Sequence, residues 1–163
     1  VVAEPTPAYS TYIPIANYKA AVTIAGSPSL IVQEGELTIS RDVDLLHTLN
    51  AGSNDPYKLF SGAVTVEGKL TFIYETNAEL LRYLNNSQPS LNILWEHTAA
   101  TDSLALNLNK CAYTAAEVKR GEQYVQLEVE FYGIANSTNA GASGGLSPIK
   151  ATLLNTSAAS TYV

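Results

Sequence analysis

The chain has 163 residues, of which 46% are hydrophobic and 15% are charged, enough to bury the core of one globular domain. Ser, Thr and Asn together fill 41 positions, a composition that suits strands and turns better than long solvated helices. The net charge of −6 has the wrong sign for binding the phosphate backbone of a nucleic acid. Composition therefore disfavours both an all-helical bundle and a nucleic-acid binder.

The sequence predicts no cofactor, no metal site and no membrane span. The single Cys111 has no partner for an internal disulfide, and with two His it cannot close a zinc site without carboxylate help. The longest uncharged stretch, residues 131–149, is too polar to cross a membrane. Residues 1–10 lack a basic region followed by an apolar run, so no signal peptide is predicted.

Residues 1–17 contain three prolines and predict an extended N-terminal arm. Alternating apolar and polar residues then predict strands at 18–24 and 30–43, separated by a turn at Gly26–Pro28.

A long loop is predicted at residues 44–62, where turn residues are mixed with large apolar ones. A loop that left these side chains in water would be unusual, so they need a partner surface in their own domain or in another subunit. The apolar residues are Leu45, Leu46, Leu49, Tyr57, Leu59 and Phe60.

The clearest alternation in the chain lies at 63–74 and predicts a strand. Thr76 and Glu79 match a capping box, which predicts a short helix at about 76–85. Leu80, Leu81, Tyr83 and Leu84 give that helix a broad apolar stripe.

The remaining elements complete a mainly β domain at 18–155 with one flanking helix. The Gly- and Ser-rich range 133–148 predicts a flexible loop that offers little to a core. Residues 156–163 predict a polar C-terminal tail. The further predicted strands are 91–96 and 104–108, which form a hairpin, then 113–119, 124–132 and 149–154.

Catalytic chemistry finds little support in the residue pattern. His47 and His97 have no nucleophile in a recognisable setting, and Cys111 is predicted to be a buried structural thiol. Glu128 and Glu130 share one strand face, as in some glycosidases, but no aromatic or cationic residue is predicted beside them. No catalytic residue is therefore assigned.

The segment from Thr38 to Leu84 resembles the tail tube (major tail) proteins of long-tailed, non-contractile bacteriophages. Three elements carry this resemblance: the strand that ends in Arg41-Asp42, the Gly52–Pro56 turn, and the Val64–Thr71 strand that runs into an acidic residue and a short helix. Farther along, LNLNKCAYTAAEV and IKATLLN look like the later strands of that family, so the similar pattern spans roughly 18–155.

The resemblance implies a β-sandwich or barrel-like tail tube fold and a structural, non-enzymatic role. Subunits of this family form hexameric rings, which stack into a tube through which double-stranded DNA passes into the host without specific binding. The implied partners are other copies of the chain and the tape measure, terminator and distal tail proteins. The implied location is the phage tail, assembled in the cytoplasm of the bacterial host.

Within that framework, polar strand faces are the candidate lining of the lumen. The candidate residues are Glu36, Thr38, Ser40, Asp42, Glu67, Lys69, Thr71, Gln126, Glu128 and Glu130. Their charges sum to −4, which would repel DNA, although the same alternation also describes an ordinary solvated sheet face. The loop at 44–62 is the candidate for stacking one ring on the next, through Leu45, Leu49, Tyr57, Leu59 and Phe60.

Two alternative functions remain open at this point. One is the tube protein of a contractile injection or secretion apparatus, which shares the architecture but delivers protein. The other is a monomeric β-sandwich binding module, because such sandwiches serve many unrelated binding tasks.

Overall fold

The computed structural model describes residues 17–49, 55–98, 102–121, 123–140 and 144–155. Within these ranges, the chain forms two antiparallel β-sheets and one short α-helix. The predicted class, a mainly β sandwich with a single flanking helix, is therefore confirmed. The predicted N-terminal arm up to residue 16, the turn at 52–54 and the tail at 156–163 lie outside the described residues.

Nine strands lie in the described ranges. They are β1 (Ala20–Ile24), β2 (Ser27–Ser29), β3 (Val32–Leu46), β4 (Lys58–Ile73), β5 (Leu91–Thr98), β6 (Asp102–Leu108), β7 (Cys111–Arg120), β8 (Val125–Gly133) and β9 (Lys150–Leu154). The helix α1 spans Ala78–Leu84, between β4 and β5. Short 3-10 turns occupy Asn17–Lys19 and Ser137–Asn139.

Each sheet contains only antiparallel neighbours. The five-stranded sheet has the order β2-β1-β5-β6-β9, and the four-stranded sheet has the order β3-β4-β8-β7. The edges differ greatly in length, because β2 has three residues and β9 five, whereas β3 has 15 and β7 has 10. Among the described strands, long unpaired edges therefore belong to the four-stranded sheet alone.

The core lies between the two sheets and follows the alternation read from the sequence. Val66, Leu70 and Phe72 of β4 are fully buried, with Leu127, Val129 and Phe131 of β8 beside them. The five-stranded sheet contributes Ile24, Leu91, Ile93 and Leu108. Cys111 and Tyr113 of β7 complete this cluster.

The predicted loop at 44–62 is wrong in its limits, because strands occupy much of this range. β3 continues to Leu46 and β4 begins at Lys58, so that Leu45 pairs with Leu59. The backbone N–H of Tyr57 donates to the carbonyl oxygen of Leu46 at 2.8 Å. The two strands thus form one long hairpin, and the connection between them is shorter than the predicted loop. The local sequence did not reveal this, because each strand end is stabilised by pairing with the other strand.

The helix forms where predicted, but without the predicted capping box. Asn77 is the N-cap residue and makes no side-chain cap hydrogen bond. Glu79 bonds elsewhere: it accepts from Arg82 at 2.9 Å and from the Tyr113 hydroxyl at 2.7 Å. This carboxylate therefore fastens α1 to β7 and does not reach back to its own helix terminus.

The range 133–148 contributes more to the core than its composition suggests. Asn136 and Asn139 are buried, and the Asn136 side chain accepts from the backbone N–H of Asn139 at 3.0 Å. Asn139 in turn donates to the carbonyl oxygen of Pro148 at 3.0 Å. The expectation of a loop with little core contact is thus corrected, because buried side-chain amides and a backbone bridge between Asn136 and Ser147 hold this segment in place.

Gly68 lies at the centre of β4, beneath the ring of Phe131. A Cβ atom placed on Gly68 would lie 2.5 Å from Phe131 Cζ and 2.5 Å from the Glu36 carbonyl oxygen. No side chain larger than hydrogen fits there without moving β3 or β8. The glycine thus sets how closely three strands of the sheet approach one another.

We expect Gly68→Ala to lower the free energy of unfolding by about 1–3 kcal/mol, because the methyl group overpacks this contact. The matched control is Gly35→Ala on β3, whose Cβ would meet only the end of the Leu70 side chain at 3.1 Å. Urea unfolding of both variants measures the difference. Equal stability of the two variants would contradict this account of Gly68.

Candidate assembly surfaces

The outward face of the four-stranded sheet carries polar residues in continuous cross-strand rows. One row joins Glu36, Lys69 and Glu130, and the next joins Thr38, Glu67 and Tyr132. A third row contains Glu34, Thr71, Glu128 and Glu117. Residues paired across strands share a sheet face, so these rows define one surface, which we call the polar face.

Most of the predicted lining residues lie on this face, with two adjustments. The rows contain Glu36, Thr38, Ser40, Glu67, Lys69, Thr71, Gln126, Glu128 and Glu130. Thr71, however, is only 9% exposed. Asp42 lies at a register irregularity between Arg41 and Val43, outside the regular rows.

Four residues of the polar face escaped the sequence analysis: Glu34, Glu117, Lys119 and Tyr132. Glu117 and Lys119 alternate in the sequence, but only the pairing of β7 with β8 shows that they share the face of Glu128. Counting the charged residues of the rows gives six glutamates against two lysines, a net charge of −4 per subunit. The glutamates are Glu34, Glu36, Glu67, Glu117, Glu128 and Glu130, and the lysines are Lys69 and Lys119.

Glu128 lies between the two lysines of the polar face. Its Oε2 atom is 2.7 Å from Lys69 Nζ and 2.6 Å from Lys119 Nζ. The hydrogen bond from Lys119, followed by that from Lys69, lowers the pKa of the Glu128 carboxyl. The expectation that Glu128 has no cationic companion is therefore wrong, and the lysines hold it ionised as a structural ion pair.

The polar face also holds a shallow depression of about 470 Å³ beside these ion pairs. It is lined by Glu36, Glu67, Lys69, Glu130 and Tyr132, among others. Within the described residues, no three His, Cys, Asp or Glu side chains cluster as metal ligands would.

The surroundings of the two histidines and the cysteine indicate structural roles. His97 contacts Lys19, whose Nζ donates to the His97 carbonyl oxygen at 2.9 Å, while His47 is exposed near the hairpin end. Cys111 is fully buried, and burial raises the pKa of its thiol to about 12. A protonated, inaccessible thiol is a poor nucleophile, as predicted from the sequence.

The outer end of the β3–β4 hairpin exposes a group of large apolar side chains, which we call the hairpin patch. Its members are Leu45, Leu46, Leu49, Tyr57, Leu59 and Phe60, each at least 44% exposed. Phe60 is covered in part by Lys58, whose Nζ lies 5.2 Å from the ring centroid. A soluble single subunit rarely exposes so many clustered apolar side chains, which marks this patch as an interaction surface.

Comparison with known protein families identifies the group to which the chain belongs. Residues 1–133 match the model of a family described as phage tail tube protein. The chain belongs to the phage tail tube protein family. The resemblance read from the sequence is therefore confirmed. No curated protein sequence matches the chain.

Among the solved structures that match this chain, two illustrate the shared fold. One is a chain of the PVC sheath/tube terminator of an extracellular contractile injection system in the extended state. It has a TM-score of 0.59 and 14% identity, over 76% of this chain and 94% of that one. The other is the SPP1 tail tube, with a TM-score of 0.52 and 13% identity over 87% of this chain and 81% of that one.

Membership in the tail tube family identifies the protein as a structural component of a phage virion, and this family is not an enzyme family. The one α-helix in the described part of the chain has seven residues, far fewer than a helix needs to cross a bilayer.

The ion pairs of Glu128 predict a pH-dependent contribution to stability. A carboxyl whose pKa is lowered by folding stabilises the folded state above its unfolded pKa of about 4.3, and this contribution is lost as the pH falls through the folded value. We therefore expect Glu128→Gln to lower the urea midpoint at about pH 7, and to lower it by less at about pH 3, where more of the Glu128 carboxyl is protonated.

The matched control is Glu117→Gln, because Glu117 is 70% exposed and its carboxylate is 3.7 Å from Lys119. This variant should unfold at nearly the unaltered midpoint at both pH values. A loss for Glu128→Gln that is as large in acid as at neutral pH would rule out the ionic origin.

Proposed function

We propose that the protein is the building unit of a phage tail tube, in which hexameric rings stack into a conduit for double-stranded DNA. The observation that carries this proposal is the four-stranded sheet with its two long unpaired edges, β3 and β7. Unpaired edges of this length expose backbone hydrogen-bonding groups that another copy can satisfy.

The strand directions support head-to-tail pairing of these edges. All neighbours in the order β3-β4-β8-β7 are antiparallel, and an even number of strands makes β3 and β7 run in opposite directions. The β7 edge of one copy therefore meets the β3 edge of the next in antiparallel orientation. Repetition of this step continues one antiparallel sheet from subunit to subunit, and closure removes every edge.

The five-stranded sheet is unsuited to the same task. Its odd number of antiparallel strands makes β2 and β9 run in the same direction. Joining the β9 edge of one copy to the β2 edge of the next would therefore place a parallel pair in an otherwise antiparallel sheet. Its edges are also short, and β2 contains Pro28, which has no N–H to donate. Ring formation through the four-stranded sheet is thus the favoured route, with the five-stranded sheet on the outside.

Six copies would give a closed barrel of 24 strands around the axis. With strands about 4.8 Å apart and tilted by about 40°, such a barrel measures about 50 Å across at the backbone. In the proposed orientation, the core face packs against the outer sheet and the polar face lines the channel. The lumen is then wide enough for a nucleic-acid duplex.

The charge of the polar face suits passage without binding. A net charge of −4 per subunit gives −24 for each six-membered ring, counted from the rows of the sheet. DNA carries one negative charge per about 1.7 Å of axis, and repulsion acts within about 8 Å in physiological salt. The wall would therefore hold the duplex away from its surface.

At its ends, the proposed tube would contact the tape measure, terminator and distal tail proteins, and it would assemble in the cytoplasm of the bacterial host. The fold shared with the contractile injection system makes a tube for protein cargo the second candidate. Both candidates predict rings, and the content of the lumen distinguishes them. A monomeric binding module predicts no ring under any condition.

Hydrogen exchange tests which edges assemble. On passing from monomer to tube, we expect slower exchange in peptides that cover Val32–Leu46 and Cys111–Arg120, because their edge amides gain partners. Lys150–Leu154 of the five-stranded sheet serves as the internal control and should exchange unchanged. Protection of that control instead of β3 and β7 would contradict the proposed wall, and discrete monomers at every concentration would contradict the tube.

The hairpin patch is the proposed contact between successive rings. Leu49 and Tyr57 are its most exposed members, at 109% and 71%, so replacing them with Ser should leave the fold intact. We expect the double variant to form single rings and to need more than about tenfold more protein for filaments, since each lost apolar contact costs about 1 kcal/mol or more and about 1.4 kcal/mol corresponds to tenfold.

The control for stacking is Leu146→Ser, because Leu146 is 71% exposed but lies outside the hairpin. Electron microscopy of negatively stained samples counts rings and filaments for both proteins. Filaments of normal length from the Leu49 and Tyr57 variant would exclude the hairpin patch from stacking.

A further inference from the structure

The sandwich is open on the side of β1 and β3, where a cleft of about 740 Å³ separates the two sheets. Its apolar wall residues include Leu37 and Leu70 from the four-stranded sheet, and Val22, Ile93 and Trp95 from the five-stranded sheet. Polar residues of β3, namely Gln33, Glu34 and Glu36, also line the cleft. Ile39 lies at its rim and is 51% exposed. Within the described residues, no α-helix covers the core on this side, in contrast to the other side.

On the opposite side, at β7, the helix α1 covers the sandwich. Leu80 and Tyr83 pack against the core, and Glu79 accepts a hydrogen bond from Tyr113 of β7. The helix has a second apolar side, because Leu81 is 50% exposed and Leu84 is 65% exposed. These two leucines lie one turn apart and form a small exposed apolar surface on the outer side of the helix.

The helix and the cleft lie at the same level of the four-stranded sheet, at its two opposite edges. Tyr113, which α1 contacts, pairs with Phe131, Phe131 pairs with Gly68, and Gly68 pairs with Leu37 of the cleft. Pairing of β7 with the β3 of the next copy therefore brings the side of one sandwich that α1 covers against the open side of the next sandwich.

We propose that α1 of each subunit docks into the open cleft of its neighbour, with Leu81 and Leu84 entering between Leu37, Ile39 and Trp95. This inference rests on the proposed ring. It adds a second lateral contact outside the tube wall, formed by apolar side chains instead of backbone hydrogen bonds. The contact is heterologous, because helix and cleft are different surfaces, so it can repeat around a ring.

Cysteine pairs test this contact directly. The test variants combine Leu81→Cys or Leu84→Cys on the helix with Val22→Cys or Ile39→Cys in the cleft, and a short bismaleimide links thiols that lie close together. Native Cys111 is fully buried, with a thiol pKa of about 12, so it does not react with the bismaleimide. The matched control combines Leu84→Cys with Leu146→Cys, which is exposed but does not line the cleft.

We expect at least one helix and cleft pair to give a ladder of covalent oligomers that ends at the ring size, while the control pair and all single variants remain unlinked. Tubes that form normally but yield no ladder from any test pair would overturn the helix contact and leave the proposed tube intact. A Leu84→Cys single variant that stops at dimers would also overturn it, by indicating a contact between two helices. Failure to assemble at all would reject the tube and this contact together.

The single Trp95 provides an independent reading, because it lines the cleft and no other tryptophan contributes to emission. Its emission should shift to shorter wavelength on assembly and become less accessible to acrylamide. Leu81→Ser with Leu84→Ser should abolish this shift. If residues 1–16 of the same chain fill the cleft instead, Trp95 is already shielded in dilute monomer and removing those residues exposes it, which would overturn the proposal.

Discussion

The backbone of the two outer strands of the four-stranded sheet is the constraint on which the other features depend. β3 and β7 together present 25 residues along their outer edges, and each edge carries N–H and C=O groups that no other described strand pairs with. Soluble proteins usually shorten, bend or cover such edges. In this chain the edges are long on the four-stranded sheet and short on the five-stranded sheet. The fold itself therefore determines which sheet can pair with another copy.

Because side chains alternate along its strands, the same sheet has one apolar face that packs in the core and one charged face on the opposite side. Its inner residues, such as Leu70 and Val129, pack against the second sheet, whereas the opposite residues of the same strands place charges outward. Glu128 shares its charge with two lysines and so holds β4, β8 and β7 together locally. The other glutamates of the polar face leave the surface negative as a whole, which is compatible with a wall that resists sticking to DNA.

The sequence predicted what depends on local pattern and missed what depends on pairing. Alternation was sufficient for β4 and β8, because each has one buried and one polar face. It was insufficient for the ends of the β3–β4 hairpin, where Leu45 and Leu59 are exposed and support each other only across the strands. Glu79 matched a capping box, but it accepts a hydrogen bond from Tyr113, which lies 34 residues away in the sequence. A local pattern cannot show that a distant residue competes with the helix terminus for this carboxylate.

Two lateral contacts at different distances from the axis would determine the number of subunits in a ring. Edge pairing alone acts as a hinge, because twisted antiparallel strands accept a range of angles between neighbouring sheets. A second contact farther out, between the leucines of α1 and the cleft beside Trp95, would fix that angle, since the helix is rigidly joined to β7 through Glu79. Subunits held at one angle by both contacts would close into a ring, and neither contact would need to be strong alone because ring closure would make them cooperative.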